Sequence, residues 1–310
     1  MNHGQSAFRP SAELFPFRSR WFNSNVGPVH YVDEGTGPVL FLLHGNAVWS
    51  FAYRHMITLL RNDFRCIAVD YPGFGLSVRP SEYGYTPAEH ANIVVALMQQ
   101  LALDEVTIFG EGYGGPIGLM AALNAPERVR GLVMANTWFW PTDWFFNRLI
   151  GSLMCVPWLK RWSMEQNFFV ERILPRGVSR PIEDDVMAHY RGVQASTDAR
   201  RGIAELSCQL VAGRPWLAEL QRQVMAKLIS KPLLLVWGGR DPAFPAAHCV
   251  PRWRAAFTYC TFLDLPQSRH FVQEDEPGRI CDAFRTWHQT LGANPGNIDR
   301  SKRGSVYESR

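Results

Sequence analysis

Apolar runs and polar interruptions alternate along the first half of the chain. Val29–Gly35 (VHYVDEG) alternates residue by residue and then turns, which predicts a hairpin strand. Pro38–Gly45 (PVLFLLHG) is a continuous apolar run, as expected of a strand buried on both faces. Phe64–Asp70 (FRCIAVD) repeats that signature and leads into the turn-rich PGFG. Ala88–Leu103 has helical spacing and is followed by the strand pattern Val106–Gly110. The stretch PIGLMAALNAPERV predicts a helix ending near Pro126, and Gly131–Thr137 the next strand. Strands and helices thus alternate from Pro38 to Thr137, which predicts a mostly parallel α/β sheet flanked by helices.

From Trp138 to about Ser230 the helical patterns continue without a core strand, and the stretch is rich in Trp, Phe and Arg. This predicts a helical insertion. The sheet rhythm resumes at Lys231–Gly238 and Tyr259–Leu265 and closes with a helix over Pro277–Leu291. The expected organisation is a core formed by 1–137 and 231–291, a helical cap over 138–230, and a flexible polar tail over 292–310.

Composition narrows the function classes. The 310 residues are 46% hydrophobic and 19% charged, a globular balance. Eleven Trp and 19 Phe are enough to line an apolar cavity as well as a core. The net charge of +4 is scattered, which argues against a nucleic-acid partner. No window approaches 18 uncharged apolar residues, so no membrane span is expected, and the N-terminus lacks the apolar stretch of a signal peptide. Six cysteines (Cys66, Cys155, Cys208, Cys249, Cys260 and Cys281) show no CxxC spacing and read as reduced thiols of a cytoplasmic protein. His30, His55, His90 and His248 have no carboxylate or cysteine at ligand spacing, so no metal is expected. Neither GxGxxG after the first strand nor GxxxxGK[ST] occurs, so no nucleotide cofactor is implied.

Ligands of open α/β sheets bind beyond the carboxyl ends of the strands. Four loops in such positions carry distinctive residues: His44–Asn46, the turn in Ile108–Gly118 (IFGEGYGGPIG), Gly238–Phe244 with Asp241, and Pro266–Phe271 with His270. The turn matches a nucleophile elbow, small-x-nucleophile-x-small, but its central position is Gly112. The chain order of elbow, acid and histidine is that of α/β-hydrolases.

Blocks over Val29–Leu291 resemble the haloalkane dehalogenase branch of the α/β-hydrolase fold. They include LLHGNAVWSFAYR, DYPGFGLSVRP, YGGPIGL, NTWFWP, VWGGRDPAF and SRHFVQEDEP. In that family an elbow carboxylate displaces halide to give an alkyl-enzyme ester, and a histidine oriented by an acid then activates water to hydrolyse it. The resemblance assigns His270 as base and Asp241 as orienting acid. It makes Asn46 a halide-holding residue and the backbone N–H groups of Asn46 and Tyr113 an oxyanion hole. It also places the family's nucleophilic Asp at Gly112 and its halide-gripping Trp at Tyr113.

Gly112 has no side chain to form the ester, and whether Asp or Ser is the missing residue stays open. Glu111, the residue before it, is expected to point away from the pocket into the supporting structure. The expected function is hydrolysis of a small apolar ester, lactone or similar substrate, with His270 as general base and no covalent nucleophile. The alternatives are a non-catalytic ligand-binding protein and a dehalogenase silenced by substitution at Gly112. Trp49, Trp138 and Trp140 are candidate pocket residues and Trp144 stands beside them. Asp70 reads as structural, and Arg54 and Arg79 as surface or loop-bracing residues.

Overall fold

The structure is a computed structural model and describes residues 6–291; the tail expected over 292–310 lies outside them. One eight-stranded sheet runs through the chain in the order β1-β2-β4-β3-β5-β6-β7-β8. Its strands are β1 (Arg20–Ser24), β2 (Gly27–Glu34), β3 (Val39–Leu43), β4 (Arg65–Val69), β5 (Val106–Glu111), β6 (Val129–Ala135), β7 (Leu233–Gly238) and β8 (Cys260–Leu265). Only β1/β2 and β2/β4 pair antiparallel; every other neighbour is parallel. All the β3-to-β8 strands therefore point their carboxyl ends the same way, and the loops that follow them share one edge.

The central strands are apolar throughout because both their faces are covered. Every residue of β5 and of β7 is buried. The helices are α1 (Arg54–Leu60), α2 (Pro87–Gln100), α3 (Gly114–Asn124), α4 (Phe145–Met154), α5 (Pro157–Glu165), α6 (Asp184–Gly192), α7 (Arg201–Ala212), α8 (Arg214–Lys227), α9 (Ala246–Ala256), α10 (Val272–Asp275) and α11 (Pro277–Thr290). Helix α2 starts at a capping box: Thr86 and Glu89 each accept a backbone N–H from the other. Helices α4 to α8 all fall between β6 and β7, and none of that stretch joins the sheet. No helix among the described residues is long and apolar enough to cross a membrane.

Two expectations need correction. Cys155 and Cys208 are not free thiols; they form a disulfide across 53 residues of sequence. The packing of α4 on α7 brings together the residue that ends one helix and a residue inside the other. The inference from reduced thiols to the cytoplasm thereby loses its premise. Arg54 is not a surface residue: it is buried, and its guanidinium makes a two-pronged pair with Glu274 at 2.6 and 2.9 Å. The Tyr190 hydroxyl donates to the same carboxylate. Arg79 does brace a loop, donating to the carbonyls of Gly75, Ser77 and Val193. Asp70 is structural as well, accepting from the backbone N–H groups of Ser50 and Leu76 and pairing with His30 at 2.8 Å.

Candidate active site

The turn after β5 sets the geometry. Gly112 has a φ of +52°, a left-handed conformation that costs a residue with a Cβ but not glycine. Its carbonyl accepts from Thr137 Oγ1 at 2.6 Å, which ties the turn to the end of β6. A Cβ at Gly112 would lie 3.5 Å from His270 Nε2 and 3.3 Å from Gly45 Cα. Helix α3 then starts directly at Gly114.

The loops after β7 and β8 bring Asp241 and His270 together, with His270 Nδ1 at 2.9 Å from Asp241 Oδ2. Asp241 is itself held in place. Its Oδ1 accepts from the Ala243 N–H at 2.7 Å, and its Oδ2 from Asn136 Nδ2 at 2.8 Å. Asn136 also donates to the Arg269 carbonyl and accepts from the Gly238 N–H, so one amide locks the β6, β7 and β8 loops. Asn136 opens the block NTWFWP, but the sequence assigned it no role; its φ is 41° at the strand end.

Glu111 faces the supporting structure as expected, fully buried and not part of the cavity lining, but its carboxyl also reaches His270. Its Oε1 lies 3.1 Å from His270 Nε2. Its Oε2 accepts from the Gly45 N–H at 3.2 Å and from Gln273 Nε2 at 3.3 Å. The side chain passes beneath Gly45, whose missing Cβ leaves the space.

His270 is thus flanked by two carboxylates. Burial disfavours its charged ring, but the attraction and hydrogen bond of Asp241, with the attraction of Glu111, outweigh this and raise its pKa to about 9. Burial raises Glu111 to about 7, aided by repulsion from Asp241 and opposed by His270, Gln273 and the Gly45 N–H. Both shifts run upward, which means that the pair keeps a proton through neutral pH.

Above this cluster is a cavity of about 110 Å³ lined by Gly112, Tyr113, Trp138 and His270, among others. That is below the usual volume of a drug-sized ligand site, so the space suits a small molecule. Its wall is an aromatic series: Tyr113 lies edge-on to Trp138, Trp138 stacks on Phe244, and Phe244 meets His270. Its roof comes from α4 and α7 through Phe146, Ile150, Ser207 and Leu210.

Of the three tryptophans expected at the pocket, only Trp138 lines it. Trp49 is buried instead against Phe15 and Phe51. Trp140 packs on Trp253 under the guanidinium of Arg252. Asn46 lines the cavity, but its amide is engaged: Nδ2 donates to Ile203 O and Ser207 Oγ, and Oδ1 accepts from the Ala47 N–H. The side-chain donors at the wall that have no partner are Tyr113 Oη and Trp138 Nε1. The backbone N–H groups of Asn46 and Tyr113 donate to no acceptor among the described residues.

His30 and His248 do reach carboxylates, Asp70 and Asp143, which lie 40 and 105 residues away and so escape any spacing rule. No group of three or more His, Cys, Asp or Glu side chains among the described residues is arranged to hold a metal ion.

Comparison with known proteins agrees with this geometry. The profile of the alpha/beta hydrolase fold family matches residues 38–277. Haloalkane dehalogenase 2 of Mycobacterium tuberculosis is 48% identical over 277 residues, covering 89% of this chain and 97% of its own. The cis-3-alkyl-4-alkyloxetan-2-one decarboxylase of Shewanella oneidensis is 26% identical over 302 residues, covering 92% of this chain and 94% of its own. Among solved structures, an ancestral haloalkane dehalogenase superposes with a TM-score of 0.79 at 26% identity, covering 89% of this chain and all of the other. The chain belongs to the haloalkane dehalogenase branch of the α/β-hydrolase fold family.

Proposed function

We propose that this hydrolase cleaves a small apolar ester or strained lactone by general-base catalysis, without a covalent intermediate at position 112. The observation that carries this is the position of His270. Its Nδ1 is held by Asp241, and its Nε2 faces the place where a side chain at Gly112 would stand. A water molecule fits the role that the absent carboxylate would otherwise take.

His270 Nε2 removes a proton from that water, and the oxygen attacks the substrate carbonyl carbon. Asp241 keeps the Nδ1–H tautomer in place and stabilises the imidazolium that forms. The backbone N–H groups of Asn46 and Tyr113 receive the oxyanion of the tetrahedral intermediate. Collapse breaks the bond to the alkoxide, which leaves with the proton that His270 holds. Tyr113 Oη and Trp138 Nε1 offer further donors to a polar atom on an otherwise apolar substrate.

Helices α4 to α8, within the stretch expected at 138–230, serve as the cap that closes over the substrate and excludes water. A lactone suits the cavity in size and supplies its own strain. The Shewanella relative, by its name, acts on an oxetan-2-one, a four-membered lactone.

The base must be neutral to act. With a folded pKa raised to about 9, turnover is expected to be low at neutral pH and to rise as pH approaches 9. His270→Ala should lose ester and lactone turnover entirely at pH 9. Unchanged turnover in that variant would remove His270 from the reaction.

A further inference from the structure

The hydrolytic scheme leaves one buried acid unused. Glu111 closes β5, one residue before the turn, and its carboxyl fills the space between Gly45 and His270. The two oxygens are treated differently. Oε2 has both of its donors, Gly45 N–H and Gln273 Nε2. Oε1 has none: it sits 3.1 Å from His270 Nε2 but off the hydrogen-bonding angle, and is buried without a partner. A buried carboxylate oxygen left without a donor is unfavourable, and the facing ring nitrogen is the group placed to supply one.

The surroundings isolate the pair. Asp241, from the loop after β7, faces His270 from its other ring nitrogen and repels Glu111. The Tyr53 and Tyr71 hydroxyls come from the segments after β3 and β4; they are neutral, and burial holds their pKa values well above the ordinary range. Gln273, from α10, is uncharged. His270 supplies the attraction that Glu111 feels.

We propose that Glu111 is a positioning residue that shares one proton with His270 across the Nε2···Oε1 approach, and so decides the pH at which His270 becomes available as a base. The inference rests on His270 being the base, but the sharing itself does not need turnover. The pair carries one proton between the two groups at neutral pH. When that proton leaves, the ring can accept one from water, and Glu111 then stabilises the imidazolium that results. A Cβ at Gly112 would stand 3.5 Å from the same Nε2 that Glu111 Oε1 approaches, so the empty position borders the pair.

The test is the titration of the His270 ring, read by nitrogen-15 NMR of the labelled protein, beside the pH–rate profile. In Glu111→Gln the neighbouring charge is gone and the ring's midpoint should fall by about 1–3 pH units. The rising limb of turnover should fall with it. Gln273→Ala leaves the carboxylate in place but removes one donor, so Glu111 holds its proton more tightly. The midpoint should then move the same way by less, which provides a reading if Glu111→Gln does not fold. An unmoved midpoint in a folded variant would overturn the shared proton. Absence of turnover at every pH, with a midpoint that moves, would instead overturn the hydrolytic reading and leave the pair standing.

Discussion

Replacing Gly112 probes both the vacancy and the chemistry. The φ of +52° costs an L-residue about 1–2 kcal/mol in backbone energy, with Asp at the lower end. Space adds little: the new Cβ meets Gly45 Cα at 3.3 Å and His270 Nε2 at 3.5 Å, so neighbours yield by a few tenths of an ångström. Gly114 is the control. A Cβ there would lie 1.9 Å from the Leu43 carbonyl oxygen, an overlap that the backbone of β3 cannot relieve by a side-chain shift. Gly112→Ala and Gly112→Asp should therefore lower stability in urea by about 1–2 kcal/mol, and Gly114→Ala by more than about 4 kcal/mol. Gly112→Asp also places a carboxylate beside His270 in the position of the family's nucleophile. It should release halide from a short haloalkane where the unmodified chain does not. Equal damage from Gly112→Ala and Gly114→Ala, or a folded Gly112→Asp that releases no halide, would refute these roles for the turn.

Two other predictions concern stability. Thiol titration of the denatured protein should find four free thiols, Cys66, Cys249, Cys260 and Cys281, rising to six on reduction. Reduction should lower stability by up to about 4 kcal/mol, the loop-closure entropy of a 53-residue separation; six thiols before reduction would contradict the bond. Burial lowers His44 to about 4 and His90 to about 3, below the ordinary 6.5. The unfolded chain therefore binds protons first as pH falls. Stability should drop from pH 6.5 toward pH 4, by about 3 kcal/mol for His44 at roughly 1.4 kcal/mol per pH unit. His90→Gln, which cannot charge, should flatten this decline as measured by urea unfolding at several pH values; an unchanged slope would refute the assignment.

The sheet was legible because its central strands are buried on both faces and so appear as unbroken apolar runs, as in Leu40–Leu43 and Leu233–Trp237. Strand β1 was not, because an edge strand with one exposed face reads as RWFNS, without an apolar run. Helix α9 escaped notice because Pro251 interrupts its pattern. Within the site, Asp241 and His270 could be found from their loops after strands. Asn136, Gln273 and the inward reach of Glu111 could not, since each depends on side-chain direction between segments distant in sequence. The Cys155–Cys208 bond likewise depends on the packing of α4 against α7, which no spacing encodes.

The central claim is that this member of the dehalogenase branch hydrolyses without a nucleophile at position 112. The most direct measurement is a product panel on the unmodified chain at pH 9, with short haloalkanes, small apolar esters and four-membered lactones assayed side by side. Acid release from an ester or a lactone, with no halide release, is the expected result. Robust halide release by the unmodified chain would contradict it.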